Sequence, residues 1–412
     1  MSKTPEQLYQ EREKRINDAI VLKKPDRVPV IGYTGLFAAE HLGMTHEELM
    51  NDIDKAVEAS FQANMYFQPD LAWGGISLGP ILEAIDFKQL KWAGHGLPPD
   101  AFLQWIEAEV MRPEEYDELI YDPSDFMVRK YWPRAYGKLS VFGSLLPLRQ
   151  IVGYFEALPG FMPFGTAEGL EALEALRKAG EASLKVITAL GANTQRLKEA
   201  GFPMAWGGMS QPPFDIIGDF LRGRKGIMLD MYRRPDKIIQ ACEKLLPTMV
   251  EMGVSTAKRS GNARVFIALH GCVEGFMSVE QFKRFYWPTF RELMVTLINE
   301  GCNPMVLVEG GSTSRLEVMQ DVPPGKVWYW FENVDMVKAK EVLGGKVCIG
   351  GNVPLSLLTT GTPDQVRDYC KKLIDTVGKD GGYIMSAAGS TEDAKIENIK
   401  AMIEFTKEYG VY

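Results

Sequence analysis

His270 and Cys272 stand two residues apart, directly after the apolar run Val265 to Leu269. An imidazole and a thiolate offered from one turn at a strand end can hold zinc. The plainer reading of such a pair is a loop histidine beside an unrelated cysteine. A second run, Pro304 to Val308, ends in Glu309-Gly310-Gly311. If the two runs are neighbouring strands, Glu309 points to the same mouth. His270, Cys272 and Glu309 would then supply three ligands and leave a fourth position open, as catalytic zinc requires. Otherwise Glu309 caps a loop or pairs with Arg315.

Other residues fall at similar places. Tyr33 follows the first apolar run and could donate a proton or a hydrogen bond. Asn352, in Gly350-Gly-Asn-Val-Pro354, and Ser386 each follow or end a run. A turn asparagine that tolerates left-handed backbone is the simpler role for the first. Trp73, Trp206, Trp328 and Trp330 lie in or beside strands, where some must be core. Trp73, Trp206 and Trp330 are the candidates for an aromatic pocket wall. No phosphate-cradling glycine loop and no dinucleotide fingerprint is present.

The elements that must position these residues alternate. Short apolar runs at 27–32, 70–74, 203–207, 264–269, 304–308, 326–331, 346–350 and 382–385 read as buried strands. Helical patterns at 4–22, 46–65, 235–259, 279–299, 336–343, 363–377 and 392–409 lie before, between and after them. Strand and helix in alternation argue for parallel strands covered by helices, and eight such strands argue for an α/β fold of one closed (β/α)8 TIM-type barrel over 1–412. Residues 78–199, after the second strand, break the alternation. They read as an irregular insertion covering the mouth, with Leu139 to Leu148 as an extra strand.

With 46% apolar and 24% charged residues, the 412-residue chain is an ordinary globular protein, not a disordered or collagen-like one. A net charge of −8 gives no nucleic-acid surface. Five scattered cysteines without a Cys-x-x-Cys pair argue against a disulfide framework and for a reducing, cytoplasmic setting. Neither a signal peptide nor a membrane span is visible.

The ordered set of motifs resembles the uroporphyrinogen decarboxylase superfamily. It comprises Pro25-Asp-Arg-Val-Pro-Val30, Gln211-Pro-Pro-Phe214 with Phe220-Leu-Arg-Gly223, Phe276-Met-Ser-Val-Glu-Gln-Phe282 with Tyr286-Trp-Pro288, Gly350-Gly-Asn-Val-Pro354, Gly382-Tyr-Ile-Met385 and Glu397 to Met402. The resemblance implies a single barrel. True decarboxylases carry an arginine-rich segment after the first strand and end the last with Gly-His-Gly. Here Gly32-Tyr-Thr-Gly-Leu-Phe37 and Ala387-Ala388-Gly389 stand instead. A polycarboxylate would find no cation in that first loop. The corrinoid (cobalamin)-dependent methyltransferase branch is the better match. Its thiol-methylating members bind zinc through His-x-Cys, matched by His270 and Cys272, and a distant cysteine, which is Ala388 here. Glu309 is the candidate replacement.

The resemblance thus implies a demethylase component. It would take a methyl group from a small methyl ether (an aryl ether included) or methylamine and pass it to a corrinoid protein, where methylcobalamin forms. Zinc on His270, Glu309 and Cys272 would act as Lewis acid, with Tyr33 assisting. The tryptophans, Asn352 and Ser386 would hold the substrate. A homodimer is compatible with this reading. The alternatives are a decarboxylase-like lyase and a non-catalytic corrinoid- or tetrapyrrole-binding protein.

Overall fold

The computed structural model describes residues 3–412. Its centre is a parallel sheet of six strands in chain order: β1 (Gly208–Ser210), β2 (Arg264–Leu269), β3 (Asn303–Gly311), β4 (Trp328–Asn333), β5 (Cys348–Gly350) and β6 (Tyr383–Ile384). Single parallel bridges carry the pairing onward, Met385 to Val30, Ile31 to Leu71 and Ala72 to Met204. These segments supply the two remaining staves and lead back to the segment before β1. The result is the eight-membered barrel that the alternating runs predict.

Side chains two apart on a strand share a face, and the register stacks them in layers. Phe266, Met305, Trp328 and Cys348 lie at one level. Ala268, Leu307, Trp330, Gly350 and Ile384 form the next. Two residues further on, five of the six strands change chemistry: His270, Glu309, Glu332, Asn352 and Ser386. The barrel is therefore apolar at its base and middle and polar at its C-terminal rim. Gly350 is fixed by this packing, because a Cβ there would stand 2.3 Å from Nε1 of Trp328.

Helix α1 (Pro5–Ile20) closes the base. Thr4 and Gln7 form a reciprocal cap at its start. Its Ile16, Ala19 and Ile20 join Ile31, Leu71, Met305 and Trp328 in one buried cluster. Ion pairs seal the edge: Arg264 to Glu13 at 2.8 Å, and Arg15 and Arg27 to the buried Asp70 at 2.7 and 2.8 Å.

The insertion is more regular than its composition suggests. It contains a small three-stranded sheet (Leu90–Ala93, Gly96–Leu97, Gln104–Trp105) and helix α2 (Ala167–Glu199), 33 residues long. Alanine, leucine, glutamate and lysine dominate α2, and all favour helix. The extra strand expected at Leu139 to Leu148 is instead a 3-10 helix over Gly137–Ser144. Its buried residues Leu139 and Phe142 stand three positions apart, the period of that helix and not of a strand, and buried Leu145 follows at its end. The helix expected over 46–65 is two, His46–Asn51 and Ile53–Phe67, because Asp52 caps the second.

Candidate active site

The polar rim opens into a cavity of about 560 Å³ whose walls include Trp105, Asp219, Phe220, Arg224, His270, Glu309 and Glu332. Strands β2, β3 and β4 deliver His270, Glu309 and Glu332. The helical segment after β1, Pro213–Leu221, delivers two aspartates four residues apart, which places both on one face. Part of this segment, Ile216–Leu221, is π-helical, a local widening common at functional sites.

Asp215 fixes the strand end. Its carboxylate accepts the backbone N–H groups of His270 (3.0 Å) and Gly271 (2.7 Å) and the hydroxyl of Tyr286 (2.6 Å). Asp219 holds the imidazole: its Oδ2 lies 2.6 Å from Nδ1 of His270, and its Oδ1 accepts from Arg224 at 2.6 Å. Nε2 of His270 faces Glu309, 3.7 Å away. Burial alone would favour neutral imidazole. The hydrogen bond to Asp219 and the charges of Asp215, Asp219 and Glu309 outweigh it and raise His270 to about 9. His270 is thus an imidazolium at neutral pH, with Nδ1–H occupied and Nε2–H turned to the cavity. Burial pushes Glu309 above the ordinary carboxyl range, with Glu332 adding to the shift and His270 opposing it.

The residues singled out from sequence divide. His270 and Glu309 come together on the cavity wall. Cys272 is buried, its thiol driven upward by burial, and its carbonyl accepts from Arg315 at 3.2 Å. Among the described residues no three His, Cys, Asp or Glu side chains are placed to hold one metal ion. The carboxylate on Nδ1 leaves Nε2 of His270 open toward Glu309, but Cys272 is not on the cavity wall. The three-ligand zinc site therefore does not fit the donor set as folded. Tyr33 packs between Phe37 and Phe67, and its hydroxyl donates to the carbonyl of Ser60 at 3.1 Å, so it does not reach the cavity.

Trp73, Trp206 and Trp330 do gather, with ring centroids 4.2 Å (Trp73–Trp206) and 6.3 Å (Trp73–Trp330) apart. They pack with Phe266 in the barrel interior, below the polar layer, and Nε1 of Trp330 donates to Ala387. They fill the floor and are not part of the cavity wall. Asn352 is buried and its amide faces the carbonyls of Glu332 and Val334. Ser386 is buried, and its hydroxyl has no partner among the described residues.

Sequence reasoning missed Asp215, Asp219, Arg224, Glu332, Trp105 and Glu107. The first two had a signal: paired carboxylates at helical spacing inside the apolar stretch Phe214 to Leu221. Glu332 had one too, as the carboxylate two residues beyond Trp330. Trp105 and Glu107 come from the insertion, where no periodicity marked them.

With the site in view, the comparisons with known proteins have a place. The sequence pattern of the uroporphyrinogen decarboxylase (URO-D) family matches residues 159–409, and the chain belongs to that family. The uroporphyrinogen decarboxylase of Chlorobium phaeobacteroides is 24% identical over 189 residues, 44% of this chain and 52% of that one. The uroporphyrinogen decarboxylase of Chlorobaculum parvum is 22% identical over 188 residues, 43% and 51% of the two chains. The chain thus spans about half the length of these curated relatives. Among solved structures, a methyltransferase from Methanosarcina mazei superposes with a TM-score of 0.64 at 14% identity, covering 97% of this chain and 98% of that one. That likeness shows the TIM-barrel fold along the whole chain. Among the described residues, no helix is long and apolar enough to cross a membrane.

Proposed function

We propose that this protein transfers a methyl group from a small methyl ether to a corrinoid carried by a separate protein. One observation carries the reading: an imidazolium held by a carboxylate on one nitrogen presents its other N–H to a cavity at the mouth of the barrel. Methyl ethers are inert because the departing oxygen is a poor leaving group, so a positioned proton donor addresses the barrier directly. The reduced corrinoid would supply the nucleophile for the methyl carbon. As the carbon–oxygen bond breaks, its electron pair goes to oxygen and the Nε2 proton of His270 follows. Asp219 holds the ring in place through Nδ1–H, and Trp105 and Phe220, edge to face at 5.2 Å, offer walls for an aryl group. No step is routed through a metal, because Cys272 lies off the cavity wall and does not complete a three-ligand set with His270 and Glu309.

Charge argues against the decarboxylase alternative. Glu107, Asp219, Glu309 and Glu332 line the cavity against only Arg224 and His270 as cations. A substrate bearing several carboxylates would enter a field of its own sign.

The test is methyl transfer from a methoxyarene to a corrinoid protein, followed by the corrinoid's absorbance. His270→Gln should lose about 100-fold or more, the range for a removed general acid. Unchanged turnover in that variant, or turnover of uroporphyrinogen by the wild type, refutes the reading.

A further inference from the structure

A second cavity, of about 370 Å³, adjoins the first at Phe220. Asp219, Phe220 and Leu221 follow one another on the π-helical turn after β1. Asp219 lines the catalytic cavity, Leu221 lines the second, and Phe220 lines both. The helix Pro235–Ser260 adds Leu245 and Met249 to the second cavity, and the insertion adds Met127 and Tyr131. Met127–Tyr131 is itself π-helical, so two widened turns border one cavity. The buried Gln89 ties them together. Its Nε2 donates to the carbonyl of Phe220 at 3.4 Å, and its Oε1 accepts from the hydroxyl of Tyr131 at 3.2 Å.

The chemistry of the two cavities differs. Carboxylates and cations line the first, whereas the walls of the second are uncharged and mostly apolar. Leu221, Leu245 and Met249 are buried in its depth. Ser124 and Thr248 are exposed, so the cavity meets solvent beside them. Its size lies within the range that small organic ligands occupy, about 300–1,000 Å³.

On the methyl-transfer reading above, we propose that this second cavity is a subsite for an uncharged apolar substituent on the ether's ring. The substrate is then an alkyl-substituted methoxyarene. The shared wall names the occupant. With the ether oxygen at Nε2 of His270 and the ring against Trp105 and Phe220, a substituent that passes Phe220 enters the second cavity. There it finds no charge to desolvate, and its burial is the favourable transfer of alkyl surface from water. A bare methoxyarene leaves that surface uncovered.

Calorimetry on the full chain with 3- and 4-alkylanisoles, from methyl to hexyl, tests this without any corrinoid. In one of the two series Kd should fall about fourfold per added methylene until the cavity is full. In the methyl-transfer assay KM should fall with it while kcat stays level, because the chain binds equally in the ground and transition states. Thr248→Trp and Ser124→Trp each place a large ring in the second cavity from an exposed position. Either should abolish the gain with chain length and leave methylanisole bound and turned over as before. Affinity that is flat with chain length in both series overturns the proposal. So does a gain that persists in both tryptophan variants. If the affinity series and its loss in the variants hold while no methyl group moves, the reaction falls and the subsite stands.

Discussion

Replacing Asp219 with asparagine keeps the shape of the His270 contact and removes its charge. Two of the influences that raise His270 from 6.5 to about 9 come from Asp219, its hydrogen bond and its charge; burial works the other way and persists in the variant. The histidine should therefore fall toward its ordinary value. At pH 7.5 nearly all of the wild type carries the Nε2 proton, whereas a histidine near 6.5 would carry it in roughly one molecule in ten. If His270 is the proton donor, the basic limb of kcat/KM lies near pH 9 in the wild type and moves down by about two units in Asp219→Asn. The variant should thus lose about tenfold at pH 7.5 and regain most of it near pH 5.5. Stability has the same sign. A group raised on folding stabilises fully below its unfolded value of 6.5, and that contribution is lost as pH rises through about 9. The assay is the pH profile of methyl transfer, paired with an NMR titration of the histidine ring, which is tractable with four histidines in the chain. A basic limb that stays near pH 9 in the variant refutes the role given to Asp219. A ring that titrates lower while the rate profile stays put refutes the role given to His270.

Three further outcomes are expected. Asp70→Ala should cost about 3–5 kcal/mol in denaturant titrations, because it strands Arg27 and takes from Arg15 its buried partner, leaving it Asp26 and Glu11. Asp70 is buried, which alone would raise its pKa, but the two arginines and the N–H of Val30 hold it below the ordinary carboxyl range, so its contribution is present at neutral pH and disappears on acidification. Dialysis against a chelator should leave methyl transfer from the ether unchanged; a loss restored by zinc would mean that the donors regroup around a metal. Glu332→Gln should tighten binding of a methoxyarene that carries a carboxylate several-fold, on the order of 1 kcal/mol for one removed charge, as read by calorimetry.

The barrel was legible because its signals are local and repeated. Each stave is a short apolar run ending in a polar residue or glycine, and the structure places all eight in chain order around the barrel. His270 and Glu309 were legible for the same reason, since a residue at a strand end goes to the rim whatever surrounds it. Distances across the rim were not. Nothing in the spacing of His270 and Cys272 reveals that the turn after β2 folds the thiol inward while Asp219 occupies the imidazole. Tyr33 misled because it follows a strand, yet Phe37 and Phe67 draw its ring outward into the helical layer. The insertion was hardest. Trp105 reaches the cavity from a two-residue strand, too short to leave a periodic trace.

The closure of the barrel base by α1 bears on the order in which the molecule can form. This helix leaves the ribosome before the staves it closes, yet Glu13 finds its partner in Arg264, 251 positions later in the chain. The apolar face of Ile16, Ala19 and Ile20 is covered by residues as distant as Ile384. Until the last staves are made, that face has nothing to cover it. A helix synthesised before its staves and docked after them is an exposed apolar segment while they are made, and such long-range closure is slow. The charges that flank it, Glu11, Arg12, Glu13, Lys14 and Arg15, therefore serve twice: as solubilising groups while the chain grows, and in part as the seal once it is complete.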